Sequence, residues 1–119
     1  MRFLMMHRMD ESLPEAWNPS PEFIEQMGAK IQDWTARGIL ITAEGVHPSE
    51  KGALVRKFRG GSTTAIDGPF TEAKEVIGGF ALINAADRAQ AVAYAEEYAA
   101  LFTEIEVEVR QVVEFEDFQ

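Results

Sequence analysis

Three side chains in this sequence have the chemistry to move a proton near neutral pH: His7, His47 and Asp67. A carboxylate that orients an imidazole makes a general base or acid close to pH 7. His47 and Asp67 are the candidate catalytic pair, expected to be hydrogen-bonded directly or through one water. Asp67 opens the stretch Asp67-Gly68-Pro69-Phe70, and Gly78-Gly79 follows at the head of an apolar run. Gly-Pro is strong turn punctuation, and a glycine pair in a strand marks a bulge or the close approach of a backbone or ligand. The plainer reading is that the Asp67 carboxylate caps its own turn by accepting backbone N–H groups. His7 equally fits a packed or solvated strand end, and His47, next to Pro48, an exposed turn.

Lys51, Arg56, Lys57 and Arg59 form a local basic run in an acidic chain. They suit an anionic small molecule, or they guard a strand edge against aggregation. Candidate ligand-binding residues are therefore His7, Lys51, Arg56, Phe70, Gly78 and Gly79. Two histidines near Glu44 show no metal-ligand spacing, so neither a metal nor another cofactor is expected. Phosphate loops, dinucleotide-binding glycine motifs and nucleophile elbows are absent from the sequence. Trp17 suits a pocket wall or a dimer contact.

The elements that must position these groups read clearly. Residues 2–7 form a short apolar strand, and residues 10–20 a loop. Ser20-Pro21 gives an N-cap and a proline at the first helical position, followed by Phe23, Ile24, Met27, Ile31 and Trp34 at helical spacing, with Gly38 as a stop. Residues 39–45 form a second strand. Residues 53–59 and 62–66 make a hairpin around Gly60-Gly61, and 76–83 the next strand. Asn84 or Asp87 caps a second helix running to about Leu101. Ile105, Val107 and Val109 alternate with polar residues as a last strand.

The order β-α-β, hairpin, β-α-β predicts a ferredoxin-like α+β sandwich in a single domain spanning residues 1–119. In a right-handed βαβ unit the strands that end at His7 and before His47 run parallel, and the hairpin returns the chain to the same end at Asp67. All three groups are thus expected on one rim. With both helices on one sheet face, the doubly apolar strand 76–83 needs a cover on the other. A second copy of the chain is the expected partner, burying at least the roughly 1,600 Å² of a standard interface.

Composition narrows the partners. A formal net charge of −9 disfavours nucleic acid and anionic membrane surfaces. Without cysteine, disulfides and thiolate catalysis are excluded, and a cytoplasmic setting fits. No apolar run approaches a membrane span, and the one at Met1–Arg8 is too short for a signal peptide.

Asp67-Gly68-Pro69-Phe70-Thr71-Glu72-Ala73-Lys74-Glu75 resembles the signature of a branch of the YCII-related family, Asp-Gly-Pro-Phe-Ala-Glu-Thr-Lys-Glu, departing at Thr71 and Ala73. Gly45-Val46-His47-Pro48-Ser49-Glu50-Lys51-Gly52-Ala53 is similar to a second motif of that branch, and Gly78-Gly79-Phe80 and the tail Glu108–Val112 and Glu116–Phe118 fit as well. The resemblance implies a ferredoxin-like subunit of the dimeric α+β barrel superfamily. Some relatives are lyases that eliminate halide using a His–Asp pair, with the histidine on the first helix. This chain has no histidine between Ser20 and Gly38, so His47 would serve instead. Two functions follow. One is a small acid/base enzyme abstracting a proton from, or eliminating on, a small anionic molecule. The other is a non-catalytic ligand-binding or regulatory module of a stress or sigma-factor-linked system.

Overall fold

The computed structural model of the chain describes residues 1–13, 18–70 and 76–119. Its elements are β1 (Arg2–Met9), α1 (Pro21–Ala36), β2 (Leu40–Gly45), β3 (Ala53–Lys57), β4 (Thr63–Asp67), β5 (Val76–Asn84), α2 (Arg88–Ala99) and β6 (Glu106–Gln111). Short 3₁₀ turns lie at Ser49–Lys51 and Phe115–Phe118. β2, β5, β1 and β6 form, in that order, one antiparallel sheet, which is the split βαβ arrangement of a ferredoxin-like α+β fold.

Local chemistry sets the helix starts. The Ser20 side chain accepts the Phe23 N–H at 3.1 Å, with Pro21 at the first helical position. Asp87, not Asn84, caps α2 by accepting the Gln90 N–H at 2.9 Å. Gly38 takes up the chain after α1 at φ 72°, a conformation that favours glycine.

The two sheet faces differ sharply. Phe3, Met5, Ala81 and Ile83 point to the helices and form the core with Trp34, Ile39, Ala85, Ala91 and Ala95. On the opposite face Leu4 pairs across with Leu82 and Met6 with Phe80, all half-buried and with no helix over them among the described residues. An ion cluster borders this apolar strip: Glu108 accepts from Arg8 at 2.8 Å and from Arg110 at 3.1 Å.

β3 and β4 do not join the main sheet. Among the described residues they pair only with each other, from Ala53↔Asp67 to Lys57↔Thr63, and every residue of both strands is exposed. The hairpin therefore stands off the body as an arm. The Cα radius of gyration is 16.4 Å, against about 13.5 Å for a compact chain of this length.

Candidate functional site

The root of the arm is where the two motif segments meet. Ser49 is the only buried polar residue among those described. Its N–H donates to Glu11 Oε2 at 3.0 Å, and its hydroxyl is hydrogen-bonded to Glu11 Oε1. The same Oγ accepts the Phe70 N–H at 2.9 Å. Gly68 lies flat against this turn. A Cβ added there would sit 1.6 Å from the Ser49 carbonyl oxygen, so only glycine fits. The Gly68 N–H closes the hairpin base on the Gly52 carbonyl at 2.9 Å, and a Cβ on Gly52 would lie 3.8 Å from the Phe70 ring. Ser49, Glu11, Gly68 and Phe70 thus tie the arm to the body. Asp67 does not take the Phe70 N–H, because Ser49 does. The Asp67 carboxylate has no hydrogen bond among the described residues, and residues 71–75 of the signature lie outside them.

His47 and Asp67 both lie near this root, two residues before Ser49 and one before Gly68. Both are exposed, and no hydrogen bond joins them among the described residues. Lys51 and Arg56 are also exposed, on the 3₁₀ turn and on the arm. The described ion pairs use none of the four basic residues of the run.

His7 has a different setting. It lies on the helix side of β1, half-buried, with Tyr98 and Phe102 against its ring; Phe23 of α1 packs on Phe102. The Tyr98 hydroxyl is 2.5 Å from His7 Nδ1. Burial raises the tyrosine hydroxyl well above its ordinary value, so it stays protonated and donates. The other ring nitrogen lies against Gly78. Burial lowers the imidazole pKa from 6.5, partly offset by the Gly78 backbone. Nδ1 of a neutral ring is therefore engaged by Tyr98, and the ring is walled in by Tyr98, Phe102 and Gly78.

The glycine pair makes room for this ring and its neighbours. β5 carries one extra residue between Ile77 and Gly79, opposite the His7–Arg8 step of β1. A Cβ on Gly78 would meet Met9 Sδ at 2.3 Å and His7 Nε2 at 2.8 Å, and one on Gly79 would meet His7 Cε1 at 2.6 Å. The close approach signalled by Gly78-Gly79 is that of the same chain: the His7 imidazole, the Met9 side chain and the β2 backbone at Glu44 and Gly45.

Sequence reasoning did not find Ser49, Glu11, Tyr98 or Phe102 as partners in these clusters. Ser49 stands inside a recognisable motif; Glu11, 38 residues away, carries no local signal. Trp17 lies outside the described residues. Among the described residues no three His, Asp or Glu side chains are grouped to hold a metal. A shallow apolar groove of about 380 Å³ runs between α2 and β6, lined by Val92, Ala95, Glu96, Ala99, Val107 and Val109. None of the candidate site residues lines it. No helix among the described residues is long and apolar enough to cross a membrane.

The family model of the YCII-related domain matches residues 1–116. The chain therefore belongs to the YCII-related family, and its fold is that of the family's dimeric α+β barrel subunits. A search of curated proteins returns no significant match.

Proposed function

We propose that this chain is a homodimeric small-molecule-binding or regulatory module, not a His47–Asp67 acid/base enzyme. The observation that carries the proposal is the setting of the three proton-handling groups. His47 and Asp67 face solvent with no hydrogen bond between them, while His7 is half-buried against Tyr98 and Phe102 with Nδ1 bonded to the Tyr98 hydroxyl. An orienting partner is what makes an imidazole an effective general base, and none bonds His47 among the described residues. The signature at Asp67–Glu75 supports placing the chain in the family branch that carries it.

The basic run supplies the ligand chemistry. Lys51, on the 3₁₀ turn at the arm root, and Arg56, on the arm, are exposed cations of an otherwise acidic molecule and suit a small carboxylate or phosphate. The dimer is proposed through the helix-free face, where Leu4, Met6, Phe80 and Leu82 form a continuous apolar strip. A cytoplasmic setting fits the cysteine-free composition.

A thermal-shift series with acetate, malonate, benzoate and inorganic phosphate tests the ligand class. At least one anion should raise the melting temperature, and Lys51→Ala with Arg56→Ala should abolish the rise. A response to none of them, or one that survives both substitutions, would overturn the assignment of an anion to this rim.

A further inference from the structure

Two ordered, exposed, apolar features lie at diagonally opposite corners of the sheet. The arm leaves the C-terminal end of β2, one edge strand. The C-terminal tail leaves the C-terminal end of β6, the other edge strand, and crosses the start of β1, where Val112 N–H donates to the Arg2 carbonyl. The tail is held firmly in place. Arg2 grips Glu114 with two bonds of 2.7 and 3.0 Å, and Glu114 and Asp117 close a capping box on the 3₁₀ turn. Yet Phe115 is 88% and Phe118 79% exposed. On the arm, Val55 is 69% and Phe58 68% exposed. Aromatic rings fixed in water on ordered elements are the anchors of protein interfaces.

Charge says which surface they meet. The arm, residues 53–67, carries Arg56, Lys57 and Arg59 against Asp67, a charge of +2; with −9 for the whole chain, the remainder carries −11. The arm is basic and apolar. The tail, with Glu114, Glu116 and Asp117 around its two phenylalanines, is acidic and apolar. Lys57 and Val55 share one face of the hairpin, while Arg56 lies on the other, so docking does not use the residue assigned to the anion.

Within one chain the arm and tail stand at opposite corners and cannot meet. We propose that the arm of each copy docks on the C-terminal turn of a second copy, Val55, Lys57 and Phe58 against Phe115, Glu116 and Phe118. This rests on the dimer proposed above. Two sheets packed through their helix-free faces with strands crossing near 90°, one of the two preferred packing angles, are related by a two-fold along one of the two sheet diagonals. The diagonal through the arm and tail corners would set arm on arm and tail on tail, like charge on like; the other superposes the arm corner of one copy on the tail corner of its partner, twice, and closes the dimer. The arm is then no longer an isolated two-stranded hairpin, which is marginal in water on its own.

The cysteine-free chain gives a clean test. Val55→Cys and Phe115→Cys proteins are mixed, allowed to exchange subunits and mildly oxidised. The pair should yield at least about tenfold more disulfide-linked dimer than either variant alone or than Val55→Cys with Ile24→Cys, since docked thiols react at millimolar effective concentration. No excess over those controls, with wild type dimeric by light scattering, would overturn the arm–tail contact and leave the sheet-face dimer standing. A monomeric wild type would overturn both. As a second readout, Phe115→Ala with Phe118→Ala should raise the dimer dissociation constant roughly tenfold or more while unfolding stays cooperative. An unchanged constant contradicts the contact.

Discussion

Removing the Ser49 hydroxyl is the sharpest probe of the arm root. Ser49→Ala leaves the Phe70 N–H without an acceptor and one Glu11 oxygen without its donor; the Ser49 N–H bond to Glu11 remains. An orphaned buried polar group costs about 1–3 kcal/mol. Both partners are part-buried and water recovers some of that, so about 1 kcal/mol each is appropriate, or about 2 kcal/mol in all. For a chain of this size the melting temperature should fall by roughly 6–10 °C. Urea unfolding at fixed protomer concentration measures the change, because a dimer's stability depends on concentration. The double variant Ser49→Ala, Glu11→Ala should be less destabilised than the sum of the singles, with a coupling of about 0.5–3 kcal/mol. Hydrogen exchange should also show the Gly68 amide, which closes the arm on Gly52, opening sooner in Ser49→Ala. A change within about 0.3 kcal/mol of zero, or strict additivity with Glu11→Ala, would refute the role given to Ser49.

Three further outcomes follow from the geometry. Gly79→Ala places a Cβ against the His7 ring and the Glu44 carbonyl and should cost about 1–3 kcal/mol in thermal unfolding; Gly28→Ala, in α1 with open space around it, should stabilise by about 0.5–1 kcal/mol. Because burial lowers the pKa of His7 in the folded state, the unfolded chain takes up that proton first as pH falls. Stability should therefore drop as pH falls from about 6.5 toward the lower folded value, at up to ~1.4 kcal/mol per pH unit, and His7→Gln should remove the drop above pH 5, where Glu108 and Glu114 have not yet begun to contribute. Leu82→Asp, on the helix-free face, should give a monomer by light scattering while the circular dichroism spectrum is kept.

The order of elements and both helix starts were legible because their signals are local. Ser20-Pro21 and Asp87 act within three residues of themselves, and the apolar spacing of Phe3, Met5, Ala81 and Ile83 defines the core face. The glycine pair was legible as a close approach, but not whose. That needs the register of β5 against β1, which sets Gly79 opposite His7. The detached arm was not legible. A hairpin signal fixes how β3 pairs with β4, and nothing in it reports whether a third strand lies alongside. Topology likewise brought His47 and Asp67 to one end of the fold, but a strand's end fixes a backbone position to several ångströms while a hydrogen bond needs about 3 Å. The Glu11–Ser49 link joins an ordinary glutamate to a serine 38 residues on, and no periodicity encodes it.

The central claim is that this rim binds without turning over. The measurement is a time course of one-dimensional NMR spectra of small carboxylates, malonate and benzoate among them, incubated with the protein in deuterated buffer. The account predicts broadened ligand signals that sharpen when Lys51→Ala with Arg56→Ala is used, and no new resonance or loss of exchangeable C–H signal over days. Appearance of a product, or deuterium entering beside a carboxylate, that disappears in His47→Ala and in Asp67→Asn would contradict it and establish the pair as acid/base machinery.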